Sequence, residues 1–187
     1  METAIEVFTE SGYDRTSFRE IARRAGLSQA GLLHYFKTKE DLFLEVLRRR
    51  DERNGVFYNE TAAHDVTLEG LIDIIGHNAL EPGLVRLYVA MSAESTDPES
   101  SSRQFFMERY EKLREDIAAD IVRKQGGESL DPSLDAHGLA TLFIAVADGL
   151  QIQWLLNREQ VDMGARLDQL NAILGTRRQA RPADATP

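Results

Sequence analysis

Ser17-Phe18-Arg19-Glu20-Ile21-Ala22-Arg23-Arg24-Ala25-Gly26-Leu27-Ser28-Gln29-Ala30-Gly31-Leu32-Leu33-His34-Tyr35-Phe36 is the stretch whose reading decides the fold. It predicts two helices of about eight residues each joined by a tight turn. Thr16 or Ser17 offers an N-cap oxygen, and Glu20, three residues past Ser17, completes a capping box. Ile21, Ala22 and Ala25 give the first helix an inward face. Gly26 breaks it, and Ser28 caps the second, whose apolar positions are Leu32, Leu33 and Phe36. Ala22 is small where two helices would cross closely, and Gly26 supplies backbone freedom at the turn. That is the anatomy of a helix-turn-helix, in which the second helix enters the major groove of DNA. Spacing alone fits an ordinary helical hairpin equally well.

Charge separates the two readings. The whole chain has a formal net charge of −9, which by itself argues against nucleic acid. The distribution argues the other way. Residues 1–50 carry a net +1 and residues 51–187 a net −10. Between Arg15 and Lys39 stand six basic side chains (Arg15, Arg19, Arg23, Arg24, Lys37, Lys39) against Glu20 alone, a net +5. A small basic head thus precedes a large acidic body.

Outward from the quoted stretch the periodicity stays helical, and no segment shows the sustained alternation of strands. Upstream, Ala4, Ile5, Phe8 and Thr9 follow helical spacing up to Ser11-Gly12. Downstream, Thr38 caps a helix with the stripe Leu42, Phe43, Val46, Leu47, ending in Arg48-Arg49-Arg50. After a polar stretch around Asn54–Asp65, longer helices are expected at Leu68–Leu80, Gly83–Ala93, Glu99–Gln125, Pro132–Asn157 and Met163–Leu174. Proline and glycine punctuation separates them. The tail after Gly175 is expected to fray. The fold class is therefore all-α, with a helix-turn-helix domain over residues 1–50 and a helical body over residues 51–187.

The 187 residues contain no cysteine, which excludes disulfides and thiolate metal sites. Met1-Glu2-Thr3-Ala4 has no basic region before an apolar core, and no apolar stretch is expected to approach the roughly 20 residues of a membrane span. A cytoplasmic protein that does not engage membranes is expected. An enzyme finds no support: the four His (34, 64, 77, 137) are scattered, and no phosphate loop, metal-spaced cluster or nucleophile motif is present. No catalytic residue, metal or cofactor is expected. The competing reading is a helical protein-interaction module without specific DNA binding, which salt-dependent duplex binding would exclude.

Ala4-Ile5-Glu6-Val7-Phe8, Gly12-Tyr13, Thr16-Ser17, Ile21-Ala22, Ala25-Gly26-Leu27-Ser28, Tyr35-Phe36 and Lys39-Glu40-Asp41-Leu42 together resemble the DNA-binding signature of the tetracycline-repressor family. The match runs from Ala4 to about Val46. Beyond it the chain resembles the family in helical pattern, with Asp148–Leu156 similar to a penultimate helix. The resemblance implies a ligand-responsive regulator, expected to be a repressor, that binds a palindromic operator on double-stranded DNA as a homodimer. It implies that Gln29 and His34 read base edges, for which their side-chain chemistry is suited. Ser28, Tyr35 and Lys39 would fix register on phosphates, and Ser17 and Arg19 would touch backbone or a base. Gly31 would let the backbone approach or be sequence-neutral, and Tyr35 has the alternative of packing beside Phe36. Two departures stand out. Leu33 occupies a position where the family often has a tyrosine, and the chain starts inside what would be the first helix, so either the start is trimmed or the upstream arm is short.

In the body, Leu84, Leu87, Tyr88 and Met91 share one helical face, Phe106, Tyr110, Leu113, Ile117 and Ile121 another, and Phe143, Ala147, Leu150 and Trp154 a third. Such stripes are core in most proteins. Tyr88, Met91, Phe106, Tyr110 and Trp154 are the candidate wall of a pocket for a largely apolar small-molecule effector. Arg86, Arg109, His137 and Gln151 are polar candidates to orient it. The Pro132–Asn157 helix is apolar on more than one side, through Leu142, Ile144, Val146, Ile152 and Leu156. A second subunit is expected to cover the outer side, with help from Leu167, Leu170, Ile173 and Leu174.

Overall fold

The computed structural model describes residues 2–11, 15–53, 66–127 and 130–175. Every regular element among them is a helix. The order is α1 (Glu2–Ser11), α2 (Phe18–Arg24), α3 (Gln29–Tyr35), α4 (Lys39–Arg53), α5 (Leu68–Asn78), α6 (Pro82–Glu94), α7 (Arg103–Gly126), α8 (Ala136–Leu156) and α9 (Met163–Gly175). The polar stretch 54–65, the end of the first helix at Gly12 and the tail past Gly175 lie outside the described residues.

The head is set by its caps. Ser17 Oγ accepts the Glu20 N–H at 3.1 Å, and Ser28 Oγ accepts the Gly31 N–H at 2.9 Å. Thr38 and Asp41 cap α4 reciprocally, the Thr38 hydroxyl accepting the Asp41 N–H at 2.9 Å and the Asp41 carboxylate the Thr38 N–H at 3.0 Å. Thr16, the other candidate cap of α2, is buried instead, and its hydroxyl donates to the Val7 carbonyl at 3.4 Å. Gly26 turns the chain at φ +70°, the left-handed region that costs side-chain-bearing residues about 1–2 kcal/mol. Two of the expected inward positions are exposed. Ala25 is already the C-cap of α2, and Leu33 on α3 is 43% exposed.

Two apolar clusters hold the molecule. One fills the body among α5, α7, α8 and α9, with Leu68, Ile117, Ile121, Phe143 and Leu167 at its centre. The other packs Phe8, Ile21, Leu32, Phe43 and Leu47 of the head against Leu84, Leu87 and Met91 of α6 and Phe106 of α7. Three short helices bury too little apolar surface to be independently stable, so α6 serves as the fourth wall of the head. The division expected at residue 50 falls inside α4, which carries the chain from head to body.

α7 and α8 start later than the spacing predicts, for one reason. Asp97 accepts the Glu99 N–H at 2.9 Å, and Asp131 accepts the N–H and hydroxyl of Ser133 at 2.9 and 2.7 Å. These side-chain turns fold the chain locally ahead of each helix. α8 also corrects the expectation about membranes. With 21 residues and a mean hydropathy of 1.5 it is long and apolar enough to cross one by composition. Its packing against α6, α7 and α9, and its hydrogen-bonded Asp148, are those of a bundle helix.

Candidate DNA-binding surface and ligand cavity

α3 presents its polar residues outward. Gln29, His34 and Tyr35 are exposed, the His34 and Tyr35 rings meet edge to face at 5.5 Å, and Tyr35 is 72% exposed, so it does not pack the head. Ser17, Arg19 and Ser28 are exposed as well, and Lys39 is partly buried at the start of α4. In both caps the serine oxygen accepts through a lone pair, which leaves the hydroxyl hydrogen for a phosphate oxygen. Gly31 has a local role that its sequence context hid. A Cβ there would lie 3.2 Å from Ser28 Oγ and crowd the cap.

The basic count of the head is partly spent inside it. Arg24 pairs with Glu10 and, at 3.3 Å, with Glu6 of α1, and Arg23 grips Glu20 at 2.6 and 2.9 Å. These bonds hold the Glu10 and Glu20 carboxyls below their ordinary range. Arg24 thereby fixes α2 on α1. Arg19 and Lys37 remain among the exposed cations of this face.

Where α4, α6, α7 and α8 converge, a polar network crosses the bundle. Arg109 of α7 donates to both oxygens of Asp51 of α4, at 2.8 and 3.2 Å, and to the Tyr88 hydroxyl of α6 at 3.2 Å. Its guanidinium also lies 5.0 Å from the Tyr88 ring centroid. The Tyr88 and Tyr110 hydroxyls donate to the two oxygens of Asp148 of α8, at 3.1 and 2.6 Å, and Gln151 adds a contact at 3.3 Å. Burial pushes the Tyr88 hydroxyl up to about 12 and Tyr110 higher still, so both keep their protons at neutral pH. Burial also raises the Asp148 carboxyl, against the hydrogen bonds of Tyr110 and Tyr88 and the charge of Arg109. Arg109 loses hydration, but Asp51 more than offsets that and holds it protonated.

Two spaces border this network. A small void of about 30 Å³, room for a water or so, is lined by Asp51, Tyr88, Arg109, Ile144, Asp148 and Gln151. On the other side of Tyr88 and Asp148 an open groove of about 630 Å³ is walled by Val89, Phe106, Met107, Tyr110 and Ile152. Of the expected pocket wall, the fold brings Tyr88, Phe106 and Tyr110 together on this groove. Met91 is fully buried in the cluster that joins head to α6. Trp154 borders a separate depression of about 430 Å³ and stacks under Arg158 at 5.0 Å. Arg109 and Gln151 stand at the void, whereas Arg86 and His137 are exposed. Sequence reasoning missed Asp51 and Asp148, although Asp148 is the one Asp, Glu, Lys or Arg in all of α8.

Comparison with known proteins accounts for both halves. The family profile of bacterial regulatory proteins of the tetR family matches residues 1–46, and that of the C-terminal domain of BetI-type transcriptional repressors matches residues 70–177. The HTH-type transcriptional regulator YezE of Bacillus subtilis is 31% identical over 161 residues, 78% of this chain and 83% of that one. The fatty acid metabolism regulator protein of the same species is 25% identical over 93% of this chain and 91% of its own. Among solved structures, a transcriptional regulator from Saccharomonospora viridis in complex with choline superposes with a TM-score of 0.71. It is 24% identical, with 92% of this chain and 91% of that one covered. FadR of Bacillus subtilis in complex with stearoyl-CoA gives 0.66 at 23% identity, covering 94% and 95%. Head, body and relatives agree: the chain belongs to the tetR family of ligand-responsive, DNA-binding transcriptional regulators, which are not enzymes.

Proposed function

We propose that the chain is a homodimeric repressor acting on DNA in the cytoplasm, whose two α3 helices grip a near-palindromic operator until an effector enters the groove beside Asp148. In this reading Gln29 and His34 read bases, while Ser17, Arg19, Ser28, Tyr35 and Lys39 hold phosphates and Gly31 keeps the Ser28 cap unstrained. Residues 1–50 are the DNA-binding unit and residues 51–187 the effector and dimerisation unit. The effector carries a largely apolar body, which suits walls made by Val89, Phe106, Met107 and Ile152.

The observation that carries the reading is the Asp51–Arg109–Tyr88 link. Asp51 lies in α4, which is continuous with the head, and Arg109 ties it to Tyr88, which lines the groove. An effector that shifts Tyr88 must also move Arg109 and with it α4. Two recognition helices fit successive major grooves only at about 34 Å, so a tilt of α4 costs contacts in one half-site. By linkage, operator and effector oppose each other by one coupling energy, typically 1–3 kcal/mol.

The test is to enrich genomic fragments on the purified protein and titrate the best duplex at two salt concentrations. The expected result is a two-fold-related site and an affinity that falls steeply with salt. Enrichment without a shared motif, or binding insensitive to salt, would leave the helix-turn-helix to protein contacts and sink the reading.

A further inference from the structure

Of the two adjacent leucines of α3, Leu32 is buried in the head cluster, whereas Leu33 is 43% exposed and takes no part in it. Ala30, three residues earlier and so one turn away on the same side, is exposed as well. A single exposed leucine is ordinary on a protein surface. Its place on this helix is not.

At about 100° per residue, the positions of α3 fall in a fixed order around its axis. Starting from the buried Leu32, they run through Gln29, Leu33, Ala30 and His34 across the outward side, then return through Gly31 and Tyr35. Leu33 and Ala30 therefore stand between Gln29 and His34, the two proposed base readers. Tyr35, the proposed phosphate contact, lies nearly opposite Leu33. An apolar strip between two base readers enters the major groove with them.

The edges of the bases offer one group that suits a leucine. Guanine and adenine present N7 with O6 or N6, and cytosine presents its N4 amine. Covering any of these with a hydrocarbon side chain removes their water without replacing its hydrogen bonds. Phosphate oxygens are charged and fare worse. Thymine alone presents an apolar group, the 5-methyl beside its O4.

Building on base reading by α3, we infer that Leu33, with Ala30 beside it, packs against the 5-methyl group of one thymine in each half-site and reads that methyl. Leu33 is then a specificity-determining residue that acts without a hydrogen bond. Removing one methyl from water is worth about fourfold in affinity. A two-fold site that lacks both methyls should bind about fifteenfold more weakly.

The probe is the duplex recovered by genomic enrichment, with each thymine replaced in turn, symmetrically in both half-sites, by deoxyuridine. That base keeps O4 and its pairing and lacks only the methyl. At one position uracil should weaken binding by the full chain about fifteenfold. Leu33→Ala should weaken binding of the thymine duplex and bind the two duplexes equally, whereas Leu33→Met should keep the preference. At the same position 5-methylcytosine should bind the wild type more tightly than cytosine, and Leu33→Ala should not tell them apart. Thymine and uracil are compared within each variant, so a general loss of folding or affinity does not imitate the effect. Uracil tolerated at every position, or a uracil penalty undiminished in Leu33→Ala, would overturn the inference. Gln29→Ala on the same duplexes separates it from the reading on which it rests. Relaxed preference in Gln29→Ala, with uracil tolerated throughout, sinks the role of Leu33 and keeps base reading by α3. A Leu33-dependent uracil penalty with an unchanged profile in Gln29→Ala keeps Leu33 and removes Gln29. Enrichment without a shared motif sinks both.

Discussion

Ser28 uses one oxygen twice, and Gly31 makes that possible. Its lone pair caps α3 through the Gly31 N–H while its hydrogen stays available to a phosphate, and the missing Cβ at Gly31 leaves the cap unstrained. Ser28→Ala should cost about 1 kcal/mol of stability in denaturant unfolding and weaken DNA binding as well. Gly31→Ala should show a smaller loss of the same kind. An unchanged unfolding midpoint for Ser28→Ala would mean that the cap contributes nothing. The readers and the phosphate contacts should separate cleanly by substitution. Lys39→Ala should weaken all duplexes about equally and flatten the salt slope by roughly one unit. Gln29→Ala should relax preference at one position per half-site, at about 1–3 kcal/mol. If Lys39→Ala changes the preferred sequence, or Gln29→Ala leaves the profile intact, the roles are misassigned. At this scale much was legible. Ser17, Ser28 and Thr38 cap where the spacing put them, and Gly26 takes the positive φ expected of a turn glycine. What could not be read was Arg24's engagement with Glu6 and Glu10, because a charge count does not say which cations the fold consumes.

α4 is the element on which the two halves depend. It begins at a reciprocal cap, buries Leu42, Phe43, Val46 and Leu47 in the head, and carries Asp51 in its last turn in the grip of Arg109. Asp51→Ala leaves Arg109 buried without that partner and should cost about 3–5 kcal/mol in denaturant unfolding. A cost near zero would show that the pair is solvated, and α4 would then lack the proposed link to the cavity. α8 supplies the second electrostatic prediction. Burial raises the Asp148 carboxyl, so the native state holds this proton more tightly than the unfolded chain. That contribution to stability is complete below the ordinary carboxylate pKa and is lost as pH rises through the raised native value. Relative to Asp148→Asn, the wild type should therefore lose stability as pH rises from below the ordinary carboxylate range through the raised native value. A stability difference that does not vary with pH would put Asp148 in a solvated setting. The helices themselves were visible as periodic stripes, but the network was not. Arg109 stands 58 residues from Asp51, and Tyr88 stands 60 from Asp148. Nothing local in the sequence says that those four side chains meet. Met91 and Trp154 mark the same limit, since helical facing tells that a residue points inward without telling which interior it enters.

For the molecule as a whole, the apolar surface left on α8 supports the proposed homodimer. Leu142, Val146, Ile152 and Leu156 recur at helical spacing and are exposed, Leu142 by 63% and Leu156 by 83%, and Ile173 of α9 is exposed as well. Ile144, counted with them from the sequence, is buried in the body instead. The remaining row is what a helix shows when a second cover is absent, and a monomer in water would have no use for it. α8 and α9 of two copies related by a two-fold axis would bury that row in a four-helix interface, on the scale of about 800 Å² per partner for a stable complex. Sedimentation at micromolar concentration should give about twice the chain mass of 21.0 kDa. Leu142→Glu combined with Leu156→Glu places two charges in the proposed seam and should yield a monomer with the same helical content. Because each subunit carries one α3, that monomer should hold a single half-site, with about half the salt dependence and a far weaker grip on the full operator. A wild-type monomer, or a charged variant that remains dimeric, would remove α8 from the interface and with it the two-half-site geometry on which effector control is built.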